Sequence, residues 1–116
     1  MASKFQFCKQ PDSNDCGVTC LRMIARHYGR HYSLDYLRNL SYQNIQGSSL
    51  LAISDAAESI GFHTVGARID FERMLDDIPM PFIAHWKGDH FVVIIDATEK
   101  KVRIADPAHG ISWVPR

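Results

Sequence analysis

In "QPDSNDCGVTCL", running from Gln10 to Leu21, a cysteine stands directly after an aspartate and directly before a glycine, where a helical pattern begins. The first N–H groups of a helix have no partner within it and together act as roughly half a positive charge. A thiolate at that position is stabilised, and the thiolate is the nucleophilic form of cysteine. Cys16 is therefore the candidate nucleophile. Gly17 beside it has no side chain, so a substrate backbone can come close. The Cys16 N–H can donate to an oxyanion. The carboxamide of Gln10, six residues upstream, supplies a second donor if its loop folds back over the sulfur. Cys20, one turn further on, reads as an ordinary small buried side chain, and Cys8 suggests no role.

A thiolate in this chemistry needs a base, and the base needs a group that orients it. Six histidines compete: His27, His31, His63, His85, His90 and His109. Reading "HFVVIIDAT" and "KVRIADP" as a hairpin that turns near Thr98–Glu99 pairs Asp96 with Lys100, Ile94 with Val102 and Val92 with Ile104. That register puts His90 opposite Asp106, close enough for side-chain contact. His90 is thus the candidate base and Asp106 its orienter. A slip of one residue would send the two to opposite faces. His85, just before the "KGD" turn, ranks second because no carboxylate faces it across a hairpin. His27 lies on a helix, His31 follows its end, His63 opens a strand and His109 sits in a turn.

Positioning these groups takes helices first and hairpins second. Asp15 is the expected N-cap of the first helix, with Ser13 and Asn14 as alternatives. Val18, Leu21, Ala25 and Tyr28 recur at helical spacing after it, Ile24 widens the stripe, and Gly29 stops it. Ser33 caps "LDYLRNL", and Ser48 or Ser49 opens "LLAISDAAESIG". "FHTVGARI" suggests a strand, and Asp70 opens a helical turn or two in "DFERMLDDI". Four apolar segments follow, "MPFIAHW", "HFVVIIDAT", "KVRIADP" and "GISWVP", separated by turn residues. The continuous apolar run in "HFVVIID" implies a central strand covered on both faces. The fold class is α+β, with an antiparallel sheet packed on a helical layer.

The totals bound the partners. The 116 residues suit one domain spanning 1–116, with 46% apolar and 22% charged residues. Thirteen basic residues balance thirteen acidic ones, which argues against nucleic acid as a partner. No apolar run approaches a membrane span, and the start carries no secretory h-region. The chain thus reads as soluble and cytoplasmic. Three cysteines, an odd count, fit a reducing compartment. Cys16 and Cys20 are a C-x₃-C pair without a second ligand pair, so no metal is expected.

"KQPDSNDCGVTCLRMIARHYG" resembles the opening of the C39 peptidase domains found at the N-terminus of bacterial peptidase-containing ABC transporters. "DHFVVI" resembles the histidine strand of that family and "IADP" its aspartate motif, in the same order along nearly the whole chain. The resemblance implies a papain-like fold, with Cys16 as nucleophile, His90 as general base and acid, Asp106 as orienter and Gln10 as oxyanion donor. It implies cleavage of a bacteriocin or pheromone precursor after a Gly-Gly pair. Export would then run through the transmembrane and ATPase domains of the same polypeptide, at the cytoplasmic side of the bacterial inner membrane. ATP and Mg would belong to that ATPase domain, which this chain lacks, and the peptidase domain itself would need no cofactor. Family leaders bind as amphipathic helices in an apolar groove. Tyr42, Leu50, Leu51 and Ile53 are candidate groove residues, with the plainer reading of ordinary core stronger for Leu51 and Ile53. Trp86 and His85 are candidates for narrowing the Gly-Gly subsites. Two other readings stay open: a cargo-binding relative without activity, against which the intact Cys16 speaks, and another papain-like thiol enzyme.

Overall fold

The computed structural model describes residues 5–41, 49–66, 68, 70–86 and 90–115. Four helices precede four strands: α1 Cys16–His27, α2 Leu34–Leu40, α3 Leu50–Ser59, α4 Phe71–Asp77, then β1 Phe82–Trp86, β2 His90–Ala97, β3 Lys101–Asp106 and β4 Gly110–Pro115. The strands form one antiparallel sheet in the order β1-β2-β3-β4.

Local chemistry sets the helix limits. The hydroxyl oxygens of Ser33 and Ser49 accept the N–H groups of Tyr36 and Ala52, each at 3.1 Å, and Asp70 accepts that of Arg73 at 2.9 Å. Gly29 (φ +82°) and Gly61 (φ +100°) follow α1 and α3 in the left-handed region. The N–H groups just beyond them, of Arg30 and Phe62, return to the carbonyls of Ala25 and Ala57, the geometry that ends a helix on glycine.

Residues of β2 alternate between two apolar layers. Phe91 and Val93 join Val18, Leu21, Met23 and Ala25 of α1 in the larger cluster, with Leu37 of α2 and Ile53 of α3. Val92 and Ile94 face the other way, against Val102 and Ile104, with Phe82, Ala84, Trp86 and Val114 around them. The expectation of a strand covered on both faces matches this arrangement. The apolar side of α1 is broader than a stripe: nine of its twelve residues are buried, while Tyr28 is 55% exposed.

Two expectations need correction. Residues 62–66 and 68 of "FHTVGARI" form no strand. The Glu58 carboxylate accepts both the N–H and the hydroxyl of Thr64, so a side chain takes the place of a neighbouring strand, and Val65 is 90% exposed. The second correction concerns the β2–β3 register. Ile94 pairs with Ile104 and Ala97 with Val102, so the ladder is displaced by two residues at Ile94. The Thr98 N–H donates to the Lys101 carbonyl at 2.8 Å, making the turn wider than expected.

Candidate active site

Cys16 is the first residue of α1 and is buried. The expected N-cap Asp15 makes no side-chain cap. Its carboxylate is completely buried and is held by Arg38 of α2, Nε to Oδ1 at 2.9 Å and NH2 to Oδ2 at 2.5 Å. Asp35 accepts from NH1 of the same guanidinium at 2.6 Å. Hydrogen bonding to Asp15 raises the already high pKa of Arg38, so the guanidinium stays charged. The helix that opens with Cys16 is thereby fastened to α2.

Packing supplies another reason for glycine at position 17. A Cβ there would lie 2.5 Å from Cδ1 of Ile53 and 3.5 Å from Cδ2 of Phe91. Gly17 is buried, and its missing side chain lets α1 close on α3 and β2.

At the start of β2, His90 Nε2 lies 2.7 Å from Asp106 Oδ1 at the end of β3. The other ring nitrogen, Nδ1, is left for a second partner. The two residues share a face because of a bulge between Ile94 and Asp96. Without the extra residue, His90 would fall on the opposite face from Asp106. With it, continuing the register one rung puts Val92 opposite Asp106, and His90 reaches the carboxylate diagonally.

Asp106 has further partners. The Ala108 N–H donates to Oδ1 at 2.9 Å, and Nδ1 of His109 lies 3.2 Å from Oδ2. Burial works to raise the Asp106 pKa. The bonds from His90 and Ala108, the charge on His90 and the contact with His109 together outweigh it and hold the carboxyl below its ordinary value. His109 was expected only to sit in a turn. Its spacing, three residues after Asp106 in "DPAHG", was the signal for the contact.

Three observations bring the helix tip and the sheet end together. The Gln10 N–H donates to the Pro107 carbonyl at 2.9 Å. Gly17 lies against Phe91, the neighbour of His90. Burial pushes the Cys20 thiol pKa well up, with Cys16 and Asp106 both near enough to act in the same direction; Cys20 stays a neutral core thiol. The Gln10 side chain is turned to Asp12, Nε2 donating to its carbonyl at 2.8 Å, and its Oε1 is buried without a partner.

The remaining candidates scatter. Trp86 is the direct ladder partner of His90 and packs on the outer apolar cluster. His85 is exposed and its ring stacks on Phe91, centroids 4.8 Å apart. A groove of about 1450 Å³ runs from Leu50, Ile53 and Ala57 past Phe62 to Ile83 and His85. Leu50 (47% exposed) and Ile53 line it. Leu51 does not line it and is 71% exposed, against its reading as core. Tyr42 lies outside the described residues.

Residues 4–116 match the family model described as the Peptidase C39 family. The chain is similar to the lactococcin-G-processing and transport ATP-binding protein LagD of Lactococcus lactis, 38% identical over 106 residues, covering 87% of this chain and 15% of that protein. It is 33% identical over 107 residues to the colicin V secretion/processing ATP-binding protein CvaB of Escherichia coli, covering 92% of this chain and again 15% of the relative. The chain therefore spans about 15% of the length of these curated relatives. Among solved structures, the peptidase domain of Streptococcus ComA, described as a bifunctional ABC transporter of a quorum-sensing pathway, superposes with a TM-score of 0.89 at 34% identity, covering 97% of this chain and 87% of that one. A double glycine motif protease from an AMS/PCAT transporter, in complex with its leader peptide, superposes at 0.92 with 29% identity, covering 97% and 80%.

Proposed function

This chain belongs to the peptidase C39 family, and from that premise we propose that it is a cysteine endopeptidase that cuts a leader peptide after a Gly-Gly pair. The observation that carries the reading is the 2.7 Å contact between His90 and Asp106, at the sheet end tied to the loop before Cys16. Asp106 occupies Nε2 and leaves Nδ1 of His90 to take the proton from the Cys16 sulfur. The sulfur attacks the carbonyl carbon of the second glycine, and the oxygen becomes an oxyanion. The Cys16 N–H and the Gln10 amide receive it, the latter after turning away from Asp12. His90 then protonates the leaving amine as the C–N bond breaks. Water, deprotonated by His90, hydrolyses the thioester and restores the thiol. Every group in this sequence is supplied by the protein, so the reading calls for no metal or cofactor.

The open groove suits an amphipathic leader helix laid on its apolar wall. His85 lines the groove and stacks on Phe91, so the groove's end lies beside the strand that begins with His90. Trp86 and His85, flanking this point on β1, would narrow the two subsites until only glycine passes. The relatives' names, processing and transport or secretion ATP-binding proteins, support ATP-driven export of the freed peptide; in the same reading the domain is attached to transmembrane and ATPase domains and cuts on the cytoplasmic side. Among the described residues no helix is long and apolar enough to cross a membrane.

The test is mass spectrometry of a Gly-Gly precursor incubated with the wild type and with Cys16→Ala. Cleavage after the second glycine by the wild type alone, with a Gly-Ala precursor left intact, supports the reading. Equal cleavage by both proteins overturns it.

A further inference from the structure

Both oxygens of Asp106 are engaged, Oδ1 by β2 and by the turn after β3, Oδ2 by that turn. Oδ1 takes His90 Nε2 at 2.7 Å and the Ala108 N–H at 2.9 Å. Oδ2 takes Nδ1 of His109 at 3.2 Å. The His109 N–H closes the turn on the Asp106 carbonyl at 3.0 Å, and Gly110 (φ +116°) reverses the chain into β4. His109 is therefore fixed by its backbone, while 81% of its side chain remains exposed.

A carboxylate held at one oxygen only can still rotate about its Cα–Cβ and Cβ–Cγ bonds. Fixing the second oxygen sets the carboxyl plane, and that plane sets the direction from which His90 must donate. A ring that exposed has no packing role that explains its aim. We propose that His109 is a positioning residue: it orients the Asp106 carboxylate, and through it keeps the proton of His90 on Nε2 and Nδ1 facing the sulfur. The inference rests on the cleavage proposed above for its kinetic consequence, but its structural half stands without it.

Two measurements test it. In kinetics on a Gly-Gly precursor, His109→Ala should lower kcat about three- to tenfold with KM unchanged. His109→Asn, whose amide nitrogen stands at the same distance along the side chain as Nδ1, should recover most of the loss. Nitrogen-15 spectra of the imidazoles, which need no substrate, should show His90 in the wild type with its neutral proton on Nε2. That population should fall in His109→Ala and return in His109→Asn. Unchanged His90 spectra in His109→Ala overturn the proposal, as do equal losses in both variants or a loss confined to KM. If the wild type cleaves no leader, the proposed function fails, and the spectra still decide the orientation of His90.

Discussion

His90 and Asp106 are bonded at 2.7 Å without standing opposite each other in the ladder. A bulge between Ile94 and Asp96, four residues along β2 from His90, brings them onto the same face, and the length of the histidine side chain covers the diagonal. The carboxylate is thus the fixed member, and the imidazole reaches toward it.

Replacing that carboxylate gives two linked expectations. Asp106→Asn should lower kcat at least tenfold, toward the roughly 10⁴-fold loss seen when a serine triad loses its aspartate and the wrong tautomer forms. Because folding holds the Asp106 carboxyl below its ordinary value of 3.8, its contribution to stability is complete above that pH and is lost as pH falls through the lower folded value. Urea melts of wild type and Asp106→Asn should therefore differ at neutral pH and converge below about pH 4. A gap that stays constant into acid would show that the carboxylate charge contributes nothing.

Gln10→Ala should cut kcat by about 10²–10³, the usual loss for one oxyanion donor, while leader binding measured by calorimetry stays as in the wild type. Cys16→Ala should bind leader and turn nothing over. Normal turnover by Gln10→Ala would remove the carboxamide from the mechanism.

Arg38→Ala should destabilise the fold by about 2 kcal/mol or more, below the roughly 3–5 kcal/mol for a fully buried pair because Arg38 is a third exposed. The reason is the carboxylate of Asp15, left without its guanidinium in a site closed to water. Denaturant melts give the measurement, and Arg38→Ala should also slow turnover by loosening the start of α1.

Gly17→Ala meets Cδ1 of Ile53. Overpacking of this kind costs about 1–3 kcal/mol, partly offset by the better helix propensity of alanine, about 1 kcal/mol. Ile53→Val removes the obstructing methyl. The double variant should be more stable than the sum of the two single changes implies, and additive melts would show that the contact does not limit this position.

Cleavage should survive a chelator. Treating the protein with excess EDTA should leave the rate on a Gly-Gly precursor unchanged, whereas an alkylating agent directed at thiols should abolish it. Loss on chelation that zinc restores would replace the thiol mechanism with a metal-assisted one.

The caps at Ser33, Ser49 and Asp70 and the four strands were legible because each depends on a few neighbouring residues. The His90–Asp106 pairing was legible for a partly different reason from the one that produced it. The expected register was displaced by two at Ile94, and an even displacement keeps side chains on the same face. The bulge itself left no mark in "HFVVIIDAT". Residues 62–66 misled because Phe62 and Val65 carry strand-like types, while the deciding contact, Glu58 to Thr64, is a side chain reaching the backbone from the end of α3. Asp15 read as a cap because short-range preference favours it there; Arg38, 23 residues away, took its carboxylate instead.

The hydrogen bond from Gln10 to Pro107 joins the opening loop to the last hairpin. A nascent chain on the ribosome has no carbonyl at position 107 to receive that N–H, and no carboxylate at 106, until nearly all of this domain has been made. Synthesis from the N-terminus therefore delivers the sulfur first and the imidazole–carboxylate pair last, so a half-made domain holds its thiol without the groups that would activate it.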